Sequence, residues 1–174
     1  MTKRISNFCF FIFFTLALSL ANLANAATVR IVALGASNTE GYGVGSDAAW
    51  PARLQAMLRA EGYDVSISNA GISGDTTSGM LARLDSAAPS GTRIVIYAIY
   101  NYNDSRRGLS PAEHAANVHA IVSRLHARGI VAISAAQYFN GLPRQSDGIH
   151  LTAEGHAQFA ARLLPQVISV LGRR

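Results

Sequence analysis

The sequence predicts an α/β fold in which a parallel sheet of four to five strands lies between two layers of helices. Three observations carry this. Apolar, β-branched runs of strand length alternate with segments of helical periodicity along the chain. One run, Arg93 to Tyr100, is apolar almost throughout, as a strand covered on both faces is. The links between runs are short, which suits right-handed crossovers in a doubly covered sheet.

Thr28 to Leu34 reads as the first strand. Trp50-Pro51 opens a helix, since proline is tolerated at the first helical position. Leu54, Met57 and Leu58 form its apolar stripe, and Gly62 ends it. Asp64 to Ser68 is a second strand with Val65 and Ile67 alternating. Thr76 to Ser86 predicts a short helix with Met80, Leu81 and Leu84 as contacts. After the third strand at Arg93–Tyr100, Ser110-Pro111-Ala112-Glu113 carries a cap, a pre-set first position and a capping-box glutamate. Ala115, Val118, Ile121, Val122 and Leu125 are the expected buried face of that helix, closed by Gly129. Ile130 to Ala135 is a fourth strand, followed by an irregular stretch from Gln137 to Ile149. A last helix spans Thr152 to Leu171, with Ala160, Leu163, Leu164, Val167, Ile168 and Leu171 inward; Pro165 is expected to kink or split it.

The chain has 174 residues, 49% of them apolar, which suits one domain rather than two. Residues 1–26 read as a cleaved signal peptide: Lys3 and Arg4 are the positive start, Phe8 to Ala21 the apolar core, and Ala24-Asn25-Ala26 the cleavage site. Removing 26 of 174 residues leaves 148, residues 27–174, as a single domain. The one cysteine, Cys9, leaves with the leader, so no disulfide and no cysteine nucleophile are expected. A periplasmic or secreted location follows, with no stable membrane insertion after cleavage. Losing Lys3 and Arg4 takes the basic count from 15 to 13 against ten acidic residues, a net charge of +3. The arginines are scattered rather than striped, which argues against nucleic acid as a partner.

In such a sheet, ligands bind beyond the carboxyl ends of the strands. The first strand delivers Gly35-Ala36-Ser37-Asn38 there. The second delivers Asn69 to Thr76, including Ser73-Gly74-Asp75-Thr76. The third delivers Asn101-Tyr102-Asn103-Asp104, and the approach to the last helix delivers Asp147-Gly148-Ile149-His150. Acyl transfer needs a nucleophile, a base, a group that orients the base, and donors for the oxyanion. Each type occurs at a strand end or a helix entry.

These four blocks, in this order, resemble the SGNH (GDSL-type) hydrolase family over essentially all of residues 27–174. The resemblance implies a three-layer, flavodoxin-like fold and hydrolysis of carboxylic esters, small acyl or aryl esters first, through an acyl-enzyme without a cofactor. Thioesters, lysophospholipids and acetylated sugars belong to the same family's range. By position it implies Ser37 as nucleophile, His150 as base and Asp147, of the D-x-x-H pair, as the acid that orients it. Ser37 N–H, Gly74 N–H and the Asn103 amide would form the oxyanion hole. Gly71 is a weaker candidate for the second-block donor. Tyr102 and Asn38 are expected to contact substrate.

Two blocks depart from the family pattern. Ala36 stands where the first block usually has aspartate, which removes no catalytic group. Tyr102 stands where the third block usually has a small residue, and is expected to reshape the acyl pocket or shift Asn103. That departure motivates a rival reading, a non-catalytic envelope binding protein on the same scaffold. Asp75 and Asp104 read as turn or cap residues. His114, His119, His126 and His156 read as surface residues on helices. No metal site is expected, since His150 and His156 lack a third ligand of suitable spacing.

Overall fold

A computed structural model describes residues 27–172. The signal-peptide reading of residues 1–26 lies outside the described residues. Four strands form the sheet: β1 (Val29–Gly35), β2 (Val65–Gly71), β3 (Thr92–Ala98) and β4 (Val131–Ser134). All neighbours are parallel, in the order β2-β1-β3-β4. The helices are α1 (Ser37–Glu40), α2 (Trp50–Ala60), α3 (Thr77–Ala82), α4 (Leu84–Ala87), α5 (Tyr102–Arg106), α6 (Pro111–Ala127) and α7 (Ala153–Leu171), with a 3₁₀ turn at Ala136–Tyr138. This is the α/β layering the alternation predicts. Among the described residues no helix is long and apolar enough to cross a membrane.

Side chains alternate across a strand, so β1 feeds two cores at once. Ile31 and Ala33 face a core with Trp50, Leu54 and Leu58 of α2 and Phe159, Leu163 and Val167 of α7. Val32 and Leu34 face a second core with Met80 of α3, Leu84 of α4, and Ile121 and Leu125 of α6. Burial on both faces is why the central strands read as continuous apolar runs. The capping box of α6 forms as expected, with the Ser110 hydroxyl accepting from Glu113 N and the Glu113 carboxylate accepting from Ser110 N.

Several elements differ from the expectation. β2 continues past Ser68 to Gly71, because its register with β1 runs through Ala33–Asn69 to Gly35–Gly71. The Asn69 amide also donates to the Thr39 and Glu40 carbonyls, so polar residues hold where the apolar pattern stops. The single helix expected over Thr76–Ser86 is two, α3 and α4, parted at Arg83. Helix α7 is continuous through Pro165 rather than split. Proline removes one hydrogen bond there, to the carbonyl four residues back at Ala161, and both residues are exposed, so the loss falls on the solvent side of the helix. Ala115 is exposed rather than buried. His156, read as a surface residue, is fully buried on α7 beside Phe159.

Candidate active site

A cleft of about 250 Å³ opens at the carboxyl end of the sheet. All four sequence blocks reach its lining, through Ser37 and Asn38, Asp75, Tyr102 and Asn103, and Gly148 and Ile149.

Ser37 is the first residue of α1, one residue, Ala36, beyond the buried end of β1. A first-turn N–H has no partner within its own helix, so Ser37 N–H remains available beside its hydroxyl. The turn is tight because glycines flank it. A Cβ on Gly35 would overlap the Thr39 side chain, and one on Gly71 would overlap the Glu40 backbone. Gly71 is therefore a close-packing residue between β2 and α1. Gly74 is different: a Cβ there meets nothing closer than Arg107 Nη2 at 3.9 Å. Its backbone φ of +75° is what calls for glycine, not crowding. The turn around it closes with Asp75 N donating to Ile72 O at 3.1 Å.

Asp147 and His150 form a compact pair. His150 Nδ1 donates to Asp147 Oδ2 at 2.6 Å, while Ile149 N and His150 N donate to Asp147 Oδ1 at 2.8 and 2.9 Å. The hydrogen bond from the His150 ring, with those two backbone donors, holds the Asp147 carboxyl down at about 2. Engaging Nδ1 in this way leaves Nε2 as the ring's basic atom. The Tyr42 ring lies over His150, centroids 4.3 Å apart. Among the described residues the Ser37 hydroxyl and His150 Nε2 share no hydrogen bond; such contacts often tighten only when substrate is bound.

Asn38, expected to touch substrate, lines the cleft, and its amide also bonds across the site at both its nitrogen and its oxygen. It donates to Ile149 O at 3.2 Å and accepts from Leu151 N at 2.9 Å. It thereby ties the serine's helix to the histidine's turn across more than a hundred residues of sequence. Asn103 donates from Nδ2 to Asp75 O at 2.9 Å, leaving its second amide N–H for the cleft. Tyr102 begins α5 in ordinary helical geometry, so no glycine-only conformation is needed. Its ring is on the rim, 42% exposed, with Arg106 Nη1 donating to its hydroxyl.

Four supporting residues were not assigned to the site from the sequence. Arg83 ion-pairs with Asp75 at 2.8 Å and donates to the carbonyls of Gly35 and Ala70, joining the ends of β1 and β2 to the second block. Asp104, read as a turn residue, is 1% exposed and accepts from Thr77 N, Thr77 Oγ1 and His114 Nδ1. Tyr42 and Arg144 complete the set. A lone arginine inside an apolar helical pattern was a usable signal for Arg83; the others are made by tertiary contact.

Residues 33–145 match the GDSL-like lipase/acylhydrolase family. The chain belongs to this family. The match includes Ser37, Gly74 and Asn103 and ends just short of Asp147 and His150. Within the GDSL-like family, the chain is 34% identical over 104 residues to Esterase TesA of Pseudomonas aeruginosa, covering 60% of this chain and 52% of that protein. It is 32% identical over 106 residues to the Arylesterase of Vibrio mimicus, covering 61% and 53%. The chain spans about half the length of the curated relatives it matches. The crystal structure of TesA superposes with a TM-score of 0.72 at 25% identity, over 81% of this chain and 99% of that one.

Proposed function

We propose that this chain is a carboxylic ester hydrolase that works through an acyl-enzyme on Ser37. The observation that carries the proposal is the Asp147–His150 pair, held beside the serine's own turn by Asn38. His150 Nε2 takes the Ser37 proton as Oγ attacks the carbonyl carbon, then returns it to the departing alcohol. Water, activated by the same nitrogen, attacks the acyl carbon and releases Ser37. Asp147 holds the ring and stabilises the imidazolium that forms. Ser37 N–H, Gly74 N–H and the free N–H of the Asn103 amide receive the oxyanion.

A cleft of about 250 Å³ favours small acyl or aryl esters over long chains. The relatives named esterase and arylesterase support the same class. Export, with a periplasmic or secreted location, is proposed from residues 1–26 alone.

The test is hydrolysis of short-chain 4-nitrophenyl esters by the wild type and Ser37→Ala, with fluorophosphonate labelling in parallel. The expected outcome is labelling at Ser37 and a rate lowered by roughly 10³-fold or more in the variant. Equal rates, or no label on folded protein, would return the chain to a binding role.

A further inference from the structure

Arg144 stands in the cleft wall, between the 3₁₀ turn and the Asp147–His150 pair. Its Nη1 donates to the carbonyls of Gly148 at 3.3 Å and Ile149 at 3.2 Å. Its guanidinium lies over the Phe139 ring, 4.5 Å from the centroid. These contacts hold the group in place without using Nε or Nη2, which have no hydrogen-bond partner among the described residues. Nor does Arg144 have a carboxylate partner there. The acids of the site are already committed, Asp75 to Arg83 and Asp147 to His150.

Tyr100 shares this wall. Its ring packs on Phe139 at 4.4 Å between centroids, and its hydroxyl is buried with no hydrogen-bond partner among the described residues. A buried, unpaired hydroxyl costs about 1–3 kcal/mol, so its retention in a cleft wall calls for a reason. Both groups pack on the Phe139 ring and line the same cleft; burial pushes the phenol well above its usual range, and the charge of Arg144 pulls it partly back. Tyr100 is thus a neutral O–H group in the same cleft wall as a cation without a carboxylate partner among the described residues, with Phe139 common to both. A guanidinium edge with free N–H groups and a phenol without an acceptor suit an oxygen-acid anion.

We propose that Arg144 and Tyr100 form a subsite for a carboxylate or phosphate carried by the substrate, so that the preferred esters are anionic. The inference rests on the hydrolase reading for its catalytic meaning. Its geometry is separate from the oxyanion donors at Ser37, Gly74 and Asn103. Bracing the histidine turn needs only Nη1; the remaining edge of the guanidinium selects the ligand.

The experiment compares matched esters on purified protein. A mono-4-nitrophenyl glutarate is set against 4-nitrophenyl pentanoate, and 1-butanoylglycerol 3-phosphate against 1-butanoylglycerol. The readout is the ratio of kcat/KM, anionic over neutral, from which a general loss of activity divides out. The wild type should favour the anionic member of at least one pair by roughly ten- to a hundredfold, the range of a charge-assisted hydrogen bond. Which pair shows the preference tells carboxylate from phosphate. Arg144→Gln should bring the ratio towards one, and Arg144→Lys should restore part of it. Tyr100→Phe should lower the ratio while leaving the melting temperature unchanged or higher, since it removes an unpaired hydroxyl. A wild-type ratio near one in both pairs, or a ratio unmoved by Arg144→Gln, overturns the subsite. Calorimetry with monomethyl glutarate and glycerol phosphate separates the two readings. Binding lost in Arg144→Gln, without hydrolysis of any ester, sustains the anion site and rejects the hydrolase; neutral-ester hydrolysis without anion binding does the reverse.

Discussion

Glycine serves two physical ends within four residues of this chain. At Gly71 there is no room, since a Cβ would meet the backbone of Glu40. At Gly74 there is room, but φ is +75°. Gly71→Ala must push α1 off the end of β2, and α1 carries Ser37. Gly74→Ala needs only a strained backbone, about 1–2 kcal/mol for a non-glycine residue in that region. The prediction is that Gly71→Ala lowers both the melting temperature and kcat. Gly74→Ala should lower kcat with a smaller stability loss. Urea unfolding beside ester kinetics checks the order.

At the scale of elements, α5 has five residues and carries Asn103, and so short a helix cannot hold itself in place. Asp104 supplies the anchor by reaching α3 through Thr77 and α6 through His114. Asn117 of α6 closes the network by donating to the Thr77 hydroxyl at 3.0 Å. Burial pushes the Asp104 carboxyl up, but hydrogen bonds from Thr77 and His114 outweigh it and hold the group below its usual range. Asp104→Ala leaves those donors unpaired and frees the helix. It should cost about 3 kcal/mol of stability and lower kcat more than it raises KM. Asp104→Asn, which keeps an acceptor for Thr77, should recover part of both. Equal kcat in the wild type and Asp104→Ala would show that α5 is positioned by other contacts.

For the whole molecule, acid stability should show His156 in an upper window and lowered carboxyls, Asp147 with Asp104, in a lower one. His156 is enclosed by α2 and α7, accepts from Trp50 N at 3.2 Å, and its Nε2 has no partner among the described residues. Burial, helped by the charge of Arg53, lowers it from 6.5 to about 4. The unfolded chain therefore binds a proton that the folded one refuses. The contribution is complete above pH 6.5 and is lost as pH falls to about 4. Asp147 is lowered from 3.8 to about 2, so its contribution holds above 3.8 and fades below it. Melting temperature should begin to fall near pH 6.5 in the wild type. His156→Gln should flatten the curve down to pH 4, and Asp147→Asn should flatten it only below that.

Periodicity and punctuation in the sequence determined the layering, the sheet's parallel sense and the α6 capping box, because these depend on residues close in the chain or on burial of a whole strand. The family resemblance pointed to Ser37, Asn103, Asp147 and His150 as candidates, and local pattern marks only that each sits at a strand end or helix entry. Tertiary structure alone decided the rest. It extended β2 through Asn69, where pairing with β1 outweighs polarity, and it buried His156 against α2. It showed Asn38, in the cleft lining, to be a strut between the two halves of the site. It also brought Arg144 and Tyr100 to one cleft wall, each packed on Phe139. Residues forty or a hundred positions apart leave no periodic trace, so hydrogen bonds between them become legible only when the chain has folded.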